Sequence, residues 1–248
     1  MEKLDLSHML KGCIEVDGSC EKHGPRTILM FKRFAENGWY CPVCRDEEAM
    51  IAAQEKWKQE RNDTLHRIAG IPLKYQGQRF SATTTKQKAV RGQVKAFRDV
   101  IAEKPAWAVL VLFGGVGTGK TLMAAELAES LINGLSMSVR YCTTKQMIAE
   151  IQASYNTEGK TEEGEILRFV QYGLLILDEI DAKPDRENAN LLLTEVINRR
   201  YNEEKPVVVI TNQPFNNLAK FVGDRVDDRL HENAFVCSFD WPSFRRVA

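Results

Sequence analysis

The sequence lacks any long hydrophobic run. No segment approaches about 18 consecutive apolar residues, so no membrane-spanning helix is expected. Neither sign of charge is in excess. With 34 Lys and Arg against 34 Asp and Glu, bulk electrostatics do not mark a nucleic-acid binder, and any such surface has to be a local patch or a ring built from several copies. The N-terminal run MEKLDLSHMLKGC has no apolar segment of the signal-peptide kind, so a cytoplasmic location is expected, without membrane partners. Internal repeats and low-complexity tracts are also absent. At 248 residues and 44% apolar content, the chain can build one large domain, or a medium domain with a small appendage.

Cysteine, by contrast, is unevenly spread. Of six cysteines, Cys13, Cys20, Cys41 and Cys44 fall in the first 44 residues. In a reducing compartment such a cluster points to metal rather than disulfides. Cys20 and His23 form one pair spaced by two residues, and Cys41 and Cys44 form a second. That spacing closes a tetrahedral site, and thiolates with one imidazole suit Zn2+. Cys13 could replace His23, but the C-x-x-H pairing is better placed. Gly24 and Gly38 supply the tight turns of a knuckle. A chain this short around its site cannot fold on apolar burial alone, so metal should supply its stability. Cys142 and Cys237 sit in apolar runs and read as inert core residues.

Three zones follow: a Cys-bearing module over 1–44, a solvated helix over 45–68 rich in Ala, Glu, Gln, Lys and Arg, and an alternating α/β zone over 69–248. In the last, strands are expected at 107–113, 138–143, 174–178, 207–211 and 234–239. Helices are expected at 86–103, 120–133, 144–155, 162–171, 187–203 and 215–221. Five strands buried on both faces imply a parallel, doubly wound sheet, with ligands outside the strand C-termini.

The run Gly114-Gly115-Val116-Gly117-Thr118-Gly119-Lys120-Thr121 reads G-x-x-x-x-G-K-T and lies between an expected strand and an expected helix. The glycines let backbone N–H groups approach phosphate oxygens. The helix opening around Leu122 adds unpaired N–H groups and a positive dipole end. Lys120 would reach the β- and γ-phosphates of a nucleotide, and the Thr121 hydroxyl would hold Mg2+. Leu174–Leu177 is an apolar strand ending in Asp178 and Glu179. Asp178 could hold Mg2+ through water, and Glu179 could polarise an attacking water. Asn212 ends a second apolar strand, Val207–Thr211, where it could orient that water or simply form a turn with Gln213 and Pro214. Arg225 and Arg229 share one helical face and suit a phosphate on a neighbouring subunit. With Asp224, Asp227 and Asp228 beside them, they also fit a surface salt-bridge helix. Arg245 is either a sensor of the γ-phosphate or part of a basic tail.

This succession of motifs, closed by Phe239-Asp240-Trp241-Pro242-Ser243-Phe244-Arg245, resembles the DnaC/IstB branch of the AAA+ ATPases. The segment Ala69–Tyr75 with Arg79-Phe80 is similar to that family's lead into its ATPase domain. The resemblance covers about residues 69–248, and its overall pattern is that of phage- or prophage-encoded DnaC-type helicase loaders. It implies an AAA+ P-loop NTPase with a five-stranded parallel sheet, here joined to an N-terminal zinc knuckle and a linking helix. It implies ATP, with Lys120, Thr121, Asp178, Glu179 and Asn212 in the roles above. Arg229 matches the arginine finger, with Arg225 as the alternative, and Arg245 matches the second sensor.

It also implies self-association through the ATPase domain, binding of a hexameric replicative helicase through residues 1–68, and delivery of that helicase onto single-stranded DNA. The family's DNA-contacting insertion corresponds to about 143–164, where Lys145, Tyr155 and Lys160 are offset by Glu150, Glu158, Glu162 and Glu163. An IstB-type transposition helper is the alternative, but it should carry a basic helical N-terminal region rather than a Cys/His knuckle. An adaptor with a dead ATP site does not need the intact motif residues. A metabolic P-loop kinase does not need Asn212 or the distal arginines.

Overall fold

The computed structural model describes residues 12–35, 38–104, 106–182 and 187–245, in two units, 1–60 and 61–248. Most of the N-terminal run considered for a leader lies outside the described residues. Among those described, no helix is long and apolar enough to cross a membrane.

In the first unit, β1 (Cys13–Cys20) pairs antiparallel with β2 (Gly24–Phe31). Ile14 stands opposite Met30 and Val16 opposite Ile28, so these four apolar residues share a face, while Leu29 and Phe31 lie exposed on the other. This hairpin is not among the elements expected from the sequence. Its signal is a short period-2 alternation that ends at Gly18. Gly18 has its own reason: a Cβ there would stand 2.1 Å from Cδ2 of the Trp39 indole, which lies on the strand. A short helix, α1 (Lys32–Ala35), follows. α2 (Pro42–Ala69) opens with proline at its first helical position, where a missing N–H costs nothing. The division between the units falls within it, and residues 48–61 are exposed. Only Ile28, Met30 and Cys41 are buried among the described residues of the first unit.

The second unit is an α/β sandwich. After α3 (Thr85–Glu103) come β3 (Val109–Gly114), α4 (Lys120–Leu135), β4 (Val139–Thr143), α5 (Thr144–Ala153), α6 (Glu162–Gln171) and β5 (Leu174–Asp178). Then follow α7 (Glu187–Asn202), β6 (Val207–Thr211), α8 (Ala219–Val222), α9 (Asp224–His231) and β7 (Ala234–Phe239). Every pairing in the sheet is parallel, in the order β4-β5-β6-β3-β7, so all strand C-termini open on one edge.

Alternate strand residues go to opposite faces. Leu110, Leu112, Ile176, Val208 and Ile210 pack with α3 and α4, while Val109, Val111, Leu175, Leu177, Val207 and Val209 pack with α5 to α9. Burial on both sides explains why β5 and β6 read as unbroken apolar runs.

Caps set the helix starts. Thr84 with Gln87 and Thr143 with Gln146 form capping boxes for α3 and α5, and Thr161 caps α6 ahead of Glu162, Glu163 and Glu165. Two expectations shift. β3 begins at Val109 rather than at Trp107, whose indole N–H instead donates to the Arg229 carbonyl at 3.2 Å. The helix expected over 215–221 is a 3-10 turn, Phe215–Asn217, followed by α8. Gly223, at φ +82°, then breaks the chain before α9.

Arg200 is fully buried at the end of α7. Its guanidinium donates to the carbonyls of Phe169, Val170 and Tyr172 at the end of α6, and to that of Pro206 ahead of β6. Burial lowers its pKa to about 9.

Candidate nucleotide and metal sites

The glycine-rich loop joins β3 to α4 in a conformation that side chains would obstruct. Gly117 and Gly119 take φ of +79° and +96°. A Cβ on Gly117 would stand 2.1 Å from Ser243 Oγ, and one on Gly119 would stand 2.6 Å from the Phe80 ring. Lys120, the first residue of α4, directs its ammonium to the carbonyls of Gly114 and Gly115, both at 2.7 Å, and to Asn212 Oδ1 at 3.0 Å. Burial lowers its pKa, and nearby Arg245 acts in the same direction, against Asp178 and Asp181. Thr118 Oγ1 closes the loop on the Gly115 carbonyl at 2.8 Å.

The acid pair sits where β5 ends. Asp178 Oδ2 accepts from Thr121 Oγ1 at 3.0 Å and from the Tyr141 hydroxyl, and its Oδ1 accepts from the backbone N–H of Glu179 at 2.8 Å. Glu179 is held at φ +52°, in the left-handed region. Burial first, and the Asp178 charge second, push the Tyr141 phenol well above its ordinary range, so it is a donor here. Tyr141 has no role in the sequence reading. The parallel register, which sets Thr143 beside Asp178, brings it close.

The C-terminal segment lies on the loop. The Phe244 N–H donates to the Gly117 carbonyl at 2.9 Å, and the Trp241 indole N–H donates to that of Thr118, also at 2.9 Å. Phe80, Phe239, Trp241 and Phe244 form an aromatic cluster beneath, with ring centroids 4.9–6.2 Å apart. Glu126 and Glu129 on α4 accept the N–H groups of Phe80 and Gly77 at 2.8 and 2.6 Å, which ties the incoming segment to the same helix. The resulting cleft, about 260 Å³, is lined by loop residues 116–122 with Lys74, Tyr75, Asp178, Glu179, Asn212, Phe244 and Arg245.

The structure therefore brings Lys120, Thr121, Asp178, Glu179, Asn212 and Arg245 around one cleft. It does not bring Arg225 or Arg229 there. Arg225 is exposed, and Arg229 lies over the Tyr201 ring at 5.0 Å, beside Trp107 near the opposite edge of the sheet. In the segment 143–164, Lys160 pairs with Glu165 at 3.2 Å and the Tyr155 hydroxyl donates to Glu162. Cys142 and Cys237 are buried, which pushes both thiols up to about 12.

In the first unit, Cys20, His23, Cys41 and Cys44 place their ligand atoms within 4.8 Å of one another. The Cys20–Cys44 sulfurs are 3.6 Å apart, and His23 Nδ1 lies 3.3, 3.5 and 3.9 Å from the sulfurs of Cys44, Cys41 and Cys20. Tetrahedral Zn2+, with bonds of about 2.3 Å to sulfur and 2.0 Å to nitrogen, sets edges of roughly 3.5–3.8 Å, so this donor set could hold it. Backbone hydrogen bonds from His23 and Lys22 hold the Cys20 thiol down to about 6. On the far side of the ring, His23 Nε2 faces Glu47 Oε1 at 3.5 Å, and Lys22 holds the same carboxylate at 2.6 Å. Cys13 stands outside the cluster.

The chain is similar to several known proteins. "Replicative helicase loader DnaC" of Escherichia coli K12 is 26% identical over 140 residues, 56% of each chain. The chain thus spans about half the length of the curated loader relatives it matches. "Uncharacterized protein YdaV" of the same organism is 25% identical over 185 residues, 73% of this chain and 69% of that one. A crystal structure of the DnaC helicase loader superposes with a TM-score of 0.58 at 18% identity, covering 67% of this chain and 99% of that chain. AMPPCP-bound DnaA from Aquifex aeolicus gives 0.57 at 19% identity, covering 68% and 51%. At these identities the superpositions show the fold, a five-stranded parallel AAA+ sheet. Residues 47–246 match the family described as "IstB-like ATP binding protein", and the chain belongs to that family.

Proposed function

We propose that the chain is a Mg2+-dependent ATPase that binds a replicative helicase and delivers it onto single-stranded DNA. The observation that supports this most is the convergence of Lys120, Thr121, Asp178, Glu179 and Asn212 on one cleft, in a chain that belongs to an ATP-binding family and is similar to proteins named helicase loaders. The backbone N–H groups of residues 114–122 cradle the phosphates, and Lys120 and Arg245 supply positive charge beside them. Thr121 and Asp178, 3.0 Å apart, would hold Mg2+, which when bound neutralises phosphate charge. Glu179 polarises the attacking water, and Asn212 orients it. Arg229, or Arg225 one turn earlier, lines no part of its own cleft and would reach the phosphate of a neighbouring copy.

In this reading residues 1–44 form a Zn2+-dependent module, 45–68 a helical arm and 69–248 the ATPase domain, with the helicase bound through 1–68. The likeness to IstB carries a second reading, an ATPase helper of DNA transposition. The hairpin and Cys/His cluster, in place of a basic helical region, weigh against it.

The test is co-elution with the host's hexameric helicase, with and without ATP and Mg2+. A joint peak lost on deleting residues 1–68 supports the loader reading, and no joint peak under any nucleotide condition sinks it. For the chemistry, Lys120→Ala should abolish nucleotide binding, whereas Glu179→Gln should bind and stall. Equal hydrolysis by wild type and Glu179→Gln would remove the catalytic assignment.

A further inference from the structure

Asp178 cannot orient its own carboxylate. The terminal torsion of an aspartate is broad, so the plane of its oxygens is set by whatever donates to them. Here three donors do so: the Glu179 N–H to Oδ1, and the Thr121 and Tyr141 hydroxyls to Oδ2. The first two belong to residues that line the cleft. Tyr141 is different. It reaches Asp178 from the adjacent strand, is 6% exposed, and is not among the cleft-lining residues.

Its position follows from the sheet. Tyr141 stands opposite Ile176 in the β4–β5 register, and both side chains pack with the cluster that contains α4. Asp178, two residues beyond Ile176, projects to that same face, where α4 presents Thr121. The ring of Tyr141 fills apolar space, and its one polar atom ends on the carboxylate. Its backbone is confined as well. Gly70, at φ +71°, lies so close that a Cβ there would stand 2.5 Å from the Tyr141 carbonyl oxygen, and the neighbouring Arg140 donates to the Ile68 carbonyl at 3.3 Å.

We propose that Tyr141 is a positioning residue for the metal site: it grips Asp178 Oδ2 from behind and leaves the cleft side of the carboxylate turned toward the metal. This rests on Asp178 holding Mg2+, as in the reading above. A buried hydrogen bond to a charged group is among the stronger ones a protein makes, so its loss should register in metal affinity. Nucleotide contacts made by the loop and Lys120 do not pass through it.

The full-length chain is titrated with Mg2+ at fixed mant-ATP, following fluorescence, with metal-free mant-ATP binding measured separately. Tyr141→Phe should leave metal-free binding unchanged and raise the Mg2+ half-point about tenfold or more. Tyr141→Met, which fills the same space without a hydroxyl, should do the same and serves where the Phe variant is poorly folded. Asp178→Asn should raise the half-point at least as far. An unchanged half-point in the Tyr141 variants, with Asp178→Asn raised, overturns the role of Tyr141 alone. An unchanged half-point in all of them overturns the assignment of Asp178 as metal holder, and that of Tyr141 with it. Equal loss of metal-free and Mg2+-supported binding marks Tyr141 as a packing residue and also overturns the proposal.

Discussion

The two units offer different physical means of keeping a fold. The second encloses a parallel sheet between two apolar layers, and the strands β3, β5 and β6 are buried from end to end apart from the last two residues of β3. The first has three buried apolar residues among those described, and in place of a core it has three sulfurs and one imidazole nitrogen gathered at one point. Apolar burial needs enough chain to surround it, and a hairpin with a helix does not provide that. A metal site needs only four side chains and releases its stability on binding. One chain can thus carry two modules that respond to different insults.

The sharpest way to break this contrast is to remove metal. Chelation, or Cys41→Ser, should open the first unit to protease between β1 and the start of α2 and leave mant-ATP binding by the second intact. A hairpin still protected after complete metal removal, checked by elemental analysis, would end the comparison. The opposite insult is Arg200→Leu. It leaves buried carbonyls at Phe169, Val170, Tyr172 and Pro206 without donors and should destabilise the second unit by about 3 kcal/mol or more. Thermal denaturation should show this as a drop of roughly 6–12 °C, with zinc content unchanged. Glu47→Gln is milder. Its carboxylate faces His23 Nε2 from outside the cluster, so zinc affinity in a chelator competition should fall about tenfold, with no change in nucleotide binding. Lys56→Ala removes an exposed pair with Glu60 at 4.0 Å and should leave the melting temperature of either unit where it was.

How much could be read in advance depended on how local the cause was. The phosphate loop is legible because its chemistry needs glycines, a lysine and a threonine at adjacent positions. β5 and β6 are legible because a strand buried on both faces is an apolar run, with a polar residue where it emerges. The candidate ligand set Cys20, His23, Cys41 and Cys44 follows from two short spacings, although the hairpin that carries the first pair is hidden by its brief alternation. Trp241, Ser243 and Phe244 belong to the run that closes the family resemblance, but nothing in that run says that they pack on the loop. Their contacts there join residues more than a hundred positions apart. Arg200 looks like any charged residue near a helix end, and only packing reveals that the ends of α6 and the lead into β6 close over it.

By itself, then, the sequence determined the order of the five strands in the second unit, the residues at the strand ends and the two candidate ligand pairs, because each depends on neighbours along the chain. The tertiary structure alone decided which strands stand side by side, and so that Tyr141 meets Asp178 and Lys120 meets Asn212. It also decided that Arg225 and Arg229 lie away from their own phosphate loop. Those facts depend on how a parallel sheet orders its strands, and strand order is written in no local stretch of residues.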